Sequence, residues 1–288
     1  MRRPILDIEG LSARAREGRP VLRDVSLLVG PGEVHGLVGE SGAGKTSIAK
    51  AVLGILPTAI TVTGGSVRFD GVELIDAPLR TLDNLLGTDI ALIPQDPLTA
   101  LNPSRRIGAQ LTDGLRLKGG LSQNSALKRA GELLEEVHLT DVRRVLRAYP
   151  HELSGGMRQR VLIASAFALN PRLIIADEPT SALDVTVQKQ ILRLIRRLQQ
   201  DHGTSVLFVT HDLGVVAQIC DDVTVLYDGA VIEQATVHRL FRYPLMAYTR
   251  ALIAANPRYD RPDASLRPIP AETLELTRAF AEKQEAKP

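Results

Sequence analysis

Short apolar segments bounded by Gly and Pro dominate the first third of the chain, a pattern typical of β-strands. They predict strands at residues 5–11, 25–29, 34–38 and 66–69. The third of these runs into a glycine-rich loop. After that loop the sequence predicts a helix from Ser47 to Leu56 that stops before Pro57.

The rest of the chain alternates between predicted strands and helices. Strands are predicted at 90–93, 173–176, 205–209 and 223–226, and helices at 122–137, 156–169, 187–200 and 213–219. The first of these helices has apolar residues at helical spacing: Leu127, Ala130, Leu133, Leu134 and Val137. Such alternation indicates an α/β fold with parallel strands and crossover helices. From about Asn256, several prolines indicate an irregular arm, followed by a short helix over 271–285 or by a flexible tail.

The composition excludes several classes of protein. Of 288 residues 44% are hydrophobic, which excludes general disorder. The balance of 35 basic against 33 acidic residues gives no sign of a protein that coats nucleic acid. No stretch reaches the roughly 18 consecutive apolar residues of a membrane span, and the amino terminus does not resemble a secretory signal. The single cysteine, Cys220, excludes an intramolecular disulfide and is most simply a small buried residue.

Residues 39–46 read Gly-Glu-Ser-Gly-Ala-Gly-Lys-Thr and fit the phosphate-loop motif G-x-x-x-x-G-K-[ST] between a predicted strand and a predicted helix. Glycines let successive backbone N–H groups point at phosphate oxygens, and the following helix N-terminus adds partial positive charge. Lys45 supplies a point charge for the β- and γ-phosphates, and Thr46 a hydroxyl for Mg²⁺. The predicted nucleotide-binding residues here are Gly39, Glu40, Ser41, Gly42, Ala43, Gly44, Lys45, Thr46 and Ser47.

A pair of acids, Asp177 and Glu178, follows the continuously apolar segment 173–176. Such a segment is typical of a buried parallel strand, whose carboxyl end is where open α/β sheets bind ligands. Asp177 is predicted to orient Mg²⁺ or its water, and Glu178 to act as base toward an attacking water. The alternative is a pair of solvated acids in a turn, which the phosphate loop makes the weaker interpretation.

Residues 153–160, Leu-Ser-Gly-Gly-Met-Arg-Gln-Arg, resemble the signature segment of ABC-transporter ATPases. Further features occur in the order of that family: the phosphate loop, Gln95, Asp177-Glu178, Ser181-Ala182-Leu183-Asp184 and His211. The resemblance covers residues 4–256 and implies a P-loop ABC ATPase with a RecA-like core, an N-terminal antiparallel β subdomain and a helical subdomain at about 95–165. An ABC ATPase domain over 1–256 and a C-terminal arm over 257–288 are therefore expected.

The resemblance also implies roles for individual residues. ATP and Mg²⁺ are the expected cofactors. Glu178, His211 and Gln95 would be catalytic, and Thr46, Gln95 and Asp177 would serve the metal. Ser154, Gly155 and Gly156 would cap the ATP held by a partner subunit, and Asp184 would touch that partner. The alternative for Ser154 is an ordinary helix N-cap.

Residues 95–103, Gln-Asp-Pro-Leu-Thr-Ala-Leu-Asn-Pro, and the segment Ala247–Leu252 resemble peptide and nickel importer ATPases. This implies ATP hydrolysis that energises import of peptides or nickel. The expected partners are a second ABC ATPase subunit, two transmembrane permeases and, indirectly, a solute-binding protein, with no nucleic acid. The expected location is peripheral, on the cytoplasmic face of the inner membrane.

Three departures from the family pattern qualify this interpretation. No aromatic residue lies near residue 15 to stack on adenine, and an arginine plane is the alternative. Cys220 alone cannot form the cysteine cluster of some relatives, and Pro94 precedes Gln95 where a bulky apolar residue is commoner. Two alternatives remain open: a non-transport ABC ATPase acting on DNA or the ribosome, and a non-hydrolysing regulatory subunit.

Overall fold

The computed structural model describes residues 3–181, 183–255 and 268–285. Its strands are β1 Leu6–Ala15, β2 Pro20–Val29, β3 Val34–Val38, β4 Ile60–Phe69, β5 Val72–Glu73, β6 Ile90–Ile93, β7 Leu173–Asp177, β8 Ser205–Thr210, β9 Asp222–Tyr227 and β10 Ala230–Thr236. Its helices are α1 Lys45–Val52, α2 Leu79–Leu85, α3 Pro97–Ala100, α4 Ile107–Leu117, α5 Gln123–Glu136, α6 Val142–Arg147, α7 Gly155–Phe167, α8 Val185–His202, α9 Leu213–Ile219, α10 Val237–Arg242, α11 Ala247–Ala255 and α12 Ala271–Glu285. The chain divides into two compact units. The first unit comprises Met1–Pro78 and Ser205–Pro288, and the second unit comprises Leu79–Thr204.

The first unit contains an antiparallel sheet and a second group of strands that has both parallel and antiparallel pairs. The antiparallel sheet has the order β2-β1-β4-β5. In the second group β3 is parallel to both β8 and β9, and β10 is antiparallel to β9. Every residue of β3 and of β8 is buried, as expected for central parallel strands. The connection β8–α9–β9 confirms the predicted parallel strands with a crossover helix.

The second unit is mainly helical and has one parallel strand pair, β6 with β7. The helix predicted over 122–137 is present as α5, with Ser122 as N-cap and Val137 as C-cap. Its predicted apolar face is wrong at one position. Leu127 is 46% exposed, and the neighbouring Ala126 is buried in its place.

Helix α1 ends earlier than the prediction, which placed its end at Leu56. Gly54 has a φ of 64°, and its N–H donates to the Ala51 carbonyl while Ile55 N–H donates to the Lys50 carbonyl. This is a Schellman motif, which stops a helix at a left-handed glycine. The glycine therefore ends the helix before Pro57 can.

The segment after residue 256 is described only in part. The helix predicted over 271–285 is confirmed as α12, whereas the irregular arm predicted before it lies outside the described residues.

Two further predictions concern the cysteine and the membrane. Cys220 is half-buried, so the prediction of a buried cysteine is only partly confirmed. Among the described residues, no helix is long and apolar enough to cross a membrane.

Candidate nucleotide-binding site

The loop between β3 and α1 adopts a shape that only its glycines permit. A Cβ on Gly39 would lie 2.2 Å from the Leu226 carbonyl oxygen, so no side chain fits there. Gly44 has a φ of 101°, a conformation that L side chains rarely adopt. The motif predicted from the sequence is therefore a backbone loop closed tightly against β9.

Lys45 opens α1 and is directed back over this loop. Its Nζ donates hydrogen bonds of 2.8 Å to the carbonyl oxygens of Gly39 and Glu40, and the residue is 5% exposed. The N-cap residue is Gly44, which has no side chain that could cap the first turn of the helix. A buried ammonium group and an uncapped helix N-terminus together favour an anion at this loop.

Tyr248 of α11 lies near this loop, a position that the sequence alone does not indicate. Its ring is 1% exposed and packs on Tyr227 at a centroid distance of 4.8 Å, in a cluster that includes Val38, the last residue of β3. Burial, with the nearby charge of Glu40, raises the pKa of the Tyr248 phenol. The hydroxyl faces the Glu40 backbone, although among the described residues it makes no hydrogen bond of ordinary geometry.

The contribution of Tyr248 to stability is expected to come from its ring. Tyr248→Ala should lower the free energy of unfolding by about 3–5 kcal/mol, because it leaves a large cavity. Tyr248→Phe should change it by less than about 1 kcal/mol, because the hydroxyl has little to lose. Chemical denaturation measures both, and Tyr243→Ala, at a 63% exposed site, is the control. A large loss in Tyr248→Phe would show instead that the hydroxyl is bonded.

His211 follows β8 at the same edge of the sheet as the phosphate loop. Val38 of β3 and Thr210 of β8 are register partners, so Gly39 and His211 each come one residue after a paired position. His211 is exposed, and the next residue, Asp212, caps α9 by accepting a 2.7 Å hydrogen bond from Gly214 N–H. The predicted histidine is therefore held between a buried strand and a capped helix, beside the phosphate loop.

In the second unit, Gln95 and Glu178 come together. Ile93 of β6 and Ala176 of β7 are register partners, and the two side chains lie two residues beyond them. Gln95 Nε2 donates a 3.2 Å hydrogen bond to Glu178 Oε2. Glu178 has a φ of 46°, a strained conformation for a residue with a side chain and one that is enriched at functional sites.

The signature segment begins α7 in the second unit. Ser154 is the N-cap, and its hydroxyl accepts a 3.3 Å hydrogen bond from Met157 N–H, so the capping alternative is part of its role. Gly156 allows close packing, because a Cβ there would lie 3.1 Å from Val187 Cγ1 of α8. Gly155 is exposed, and a Cβ there would meet nothing within 4 Å. The fold of this chain therefore does not require glycine at 155.

Asp184 is the N-cap of α8. Its Oδ1 accepts hydrogen bonds of 3.0 and 2.9 Å from Thr186 and Val187 N–H. The carboxylate is exposed and remains accessible while it caps the helix.

The predicted site residues fall into two groups, one in each unit. The phosphate loop and His211 lie in the first unit, and Gln95, Ser154, Gly155, Gly156, Asp177, Glu178 and Asp184 lie in the second.

Comparison with known proteins identifies the family. The model of the family described as ABC transporter matches residues 22–181, which is more than half of the chain. This chain belongs to the ABC transporter family. It is an ATP-binding ABC ATPase, and the predicted α/β P-loop ABC ATPase fold is confirmed, since the structure has an antiparallel sheet, a mixed sheet and helices.

Relatives and solved structures extend the similarity of this ABC ATPase beyond the family model. The chain is 44% identical to the probable D,D-dipeptide transport ATP-binding protein DdpD of Escherichia coli K12, across 96% of this chain and 86% of that protein. It is 43% identical to the oligopeptide transport ATP-binding protein OppD of Salmonella typhimurium LT2, across 89% of this chain and 76% of that protein. The dimeric post-hydrolysis structure of the ATP-binding cassette MJ0796 with ADP and Pi superposes with a TM-score of 0.71 at 28% identity, covering 81% of this chain and 98% of that chain.

Proposed function

We propose that this ABC ATPase energises the import of peptides. The observation that carries the proposal is the extent of the similarity to peptide and dipeptide transport proteins. The match to the E. coli relative spans 96% of the chain, whereas the family model ends at residue 181. The similarity therefore includes most of the chain beyond His211, the last of the ATPase motif residues, where those motifs do not account for it.

The proposed chemistry is attack of water on the γ-phosphate of ATP. Glu178 acts as general base, and Gln95, which donates to its carboxylate, orients it. Lys45 and the residues of the phosphate loop bind the β- and γ-phosphates, and His211 contacts the γ-phosphate as it leaves. Protein groups already fixed in place stabilise the developing charge without reorganising.

Thr46, Gln95 and Asp177 are proposed to serve Mg²⁺. A hydroxyl, an amide oxygen and one carboxylate are hard oxygen donors, which fit an ion that is bound largely by substrate phosphates and water. When bound, the ion neutralises charge on the phosphate oxygens. Among the described residues, no group of three His, Cys, Asp or Glu side chains forms a metal site, and this donor set needs none.

A second ABC ATPase subunit is proposed to complete each site. Ser154, Gly155, Gly156 and Asp184 of this chain would face the ATP held by that partner. Two permeases would receive the motion, a solute-binding protein would deliver the cargo, and the chain would be peripheral on the cytoplasmic face of the membrane. The domain limits of 1–256, with a helical subdomain at about 95–165 and an arm from 257, belong to the same proposal.

Gly155→Ala is expected to separate folding from function. Thermal stability should stay the same or rise slightly, because alanine is the better helix former by about 1 kcal/mol and the position is open. ATP hydrolysis by the assembled dimer should fall at least tenfold, since a misplacement of about 1 Å at a reacting group costs about 10²-fold. The control is Gly114→Ala, because Gly114 is also helical, exposed and open. Equal activity of both variants would exclude Gly155 from the nucleotide site.

Purification of the tagged chain from native membranes tests the proposal. The expected copurifying proteins are two membrane-spanning permeases, a second ABC ATPase and a peptide-binding protein. Recovery of DNA-repair or ribosomal proteins would contradict it, and none of the relatives named above favours that alternative. Nickel is separated from peptide by adding each cargo to the purified complex. The proposal predicts stimulation of ATP hydrolysis by peptide, and stimulation by nickel alone would contradict it.

A further inference from the structure

A cavity of about 310 Å³ lies within the second unit and has no part in the mechanism above. It is lined by His138, Arg160, Gln190, Arg193, Leu194 and Arg197. Arg160 belongs to α7, the four residues from Gln190 onward belong to α8, and His138 follows α5. None of the residues that line this cavity, among those the structure describes, is acidic. We refer to it as the arginine cavity.

Two of its arginines are fixed by hydrogen bonds to neutral acceptors. Arg160 donates to the Val137 carbonyl at 2.8 Å and to Gln190 Oε1 at 3.0 Å. Arg197 donates to His138 Nε2 at 2.8 Å and to the Glu136 carbonyl. Neutral acceptors orient a guanidinium group without cancelling its charge. Arg197 also forms a long ion pair, 4.0 Å from Nε to Oδ2 of the exposed Asp201, which neutralises it only weakly.

Arg193 adds a third positive charge to the same wall. It precedes Arg197 by four residues on α8, which places both on one face of the helix, where like charges repel. Arg193 is exposed, and within the described parts of the chain it makes no hydrogen bond or ion pair. The arrangement carries an electrostatic cost that a bound anion would remove.

His138 reflects the positive potential of this wall. Desolvation and the positive charges of Arg197 and Arg160 lower the pKa of its ring. Because Arg197 donates to Nε2, that nitrogen acts as an acceptor and the neutral ring carries its proton on Nδ1. The histidine has a φ of 59° because the chain turns there to end α5, with Leu139 N–H donating to the Leu134 carbonyl.

We infer that the arginine cavity binds a phosphate-type oxyanion between α7 and α8. The planar guanidinium group presents a fork of N–H donors that can bind two oxygens of one phosphate group at once. The volume suits a phosphate group with its first waters. An anion there would link Arg160 on the signature helix to Arg193 and Arg197 on the next helix, and so would stiffen the packing of α7 on α8. The proposal is independent of the cargo of the transporter.

Inorganic phosphate is the probe for the first experiment. It is titrated into the full chain in a Lys45→Ala background, which weakens binding at the phosphate loop, and the NMR signals of the His138 ring are followed. Saturable shifts are expected, and Arg193→Gln should weaken binding at least about tenfold, the value of one charged hydrogen bond. The control is Arg116→Gln, which removes an exposed arginine of α4 that does not line this cavity.

A second arm separates free phosphate from phosphate on a lipid. The same variants are mixed with vesicles of anionic phospholipid and with vesicles of neutral phospholipid. The proposal is supported if Arg193→Gln weakens the binding of phosphate or of anionic vesicles and Arg116→Gln leaves it unchanged. The arm in which this happens identifies the source of the phosphate. Arg193→Lys should retain part of the affinity, which guards against misfolding of the glutamine variant. Absence of binding in both arms, or equal binding by Arg193→Gln and Arg116→Gln, would overturn the proposal.

Discussion

Glu178→Gln is expected to lower the turnover of ATP hydrolysis by about 10²–10⁴-fold, the usual contribution of a general base. The substitution keeps the size of the side chain but replaces a carboxylate that can take a proton with an amide that cannot. Gln95 already donates to this carboxylate, so the substitution also places two amides side by side. Phosphate release by the purified complex at saturating ATP measures the effect.

The matched control for this variant is Glu135→Gln, which makes the same chemical change at an exposed position of α5. It should hydrolyse ATP at the rate of the unmodified chain. ATP affinity should be retained in Glu178→Gln, because binding depends on the phosphate loop. Near-normal hydrolysis by Glu178→Gln would remove this residue from the proposed mechanism. Loss of ATP binding together with hydrolysis would show that its role is in binding the nucleotide.

Lys45→Ala is expected to weaken ATP binding by about 10- to 1,000-fold. This is the usual effect of removing a buried charge, here the ammonium group, that faces an opposite charge, here the phosphates. The ammonium group is 5% exposed and held by two carbonyl oxygens of the loop, so it is positioned before ATP arrives. A charge fixed in place loses little entropy on binding, which explains the large expected effect. Fluorescent nucleotide titration of the isolated chain measures the dissociation constant.

Lys50→Ala is the control for this substitution, because Lys50 lies on the same helix and is partly exposed on its last turn. It removes the same charge from the chain without touching the loop. Unchanged affinity in Lys45→Ala, or an equal loss in both variants, would contradict the placement of phosphate at this loop. Circular dichroism of each variant establishes that the fold is retained.

Local signals explain which parts of the fold could be predicted. Strands β3 and β6 and helices α9 and α12 have the predicted bounds, because each has a compact apolar pattern with a clear stop. The hairpin of β9 and β10 was missed, although Asp228-Gly229 carries a signal for it. These residues have φ values of 45° and 79°, which a tight two-residue turn requires.

The candidate site likewise contains a motif that can be recognised from the sequence and contacts that cannot. The phosphate loop can be recognised from sequence because its chemistry depends on the spacing of consecutive residues. The contact between Gln95 and Glu178 joins residues far apart in the chain and follows from the register of β6 with β7, which the sequence does not reveal. Tyr248 lies near the loop for the same kind of reason, since the packing of α11 places it in one cluster with Val38.

Simultaneous measurement of peptide uptake and phosphate release in one preparation tests the central proposal most directly. The chain, its partner ATPase and the permeases are reconstituted in vesicles with the solute-binding protein and a labelled peptide. The proposed function predicts that uptake requires ATP, accompanies phosphate release and is abolished with it in Glu178→Gln, but persists in Glu135→Gln. Peptide uptake that continues without hydrolysis, or hydrolysis that never moves peptide, would contradict it.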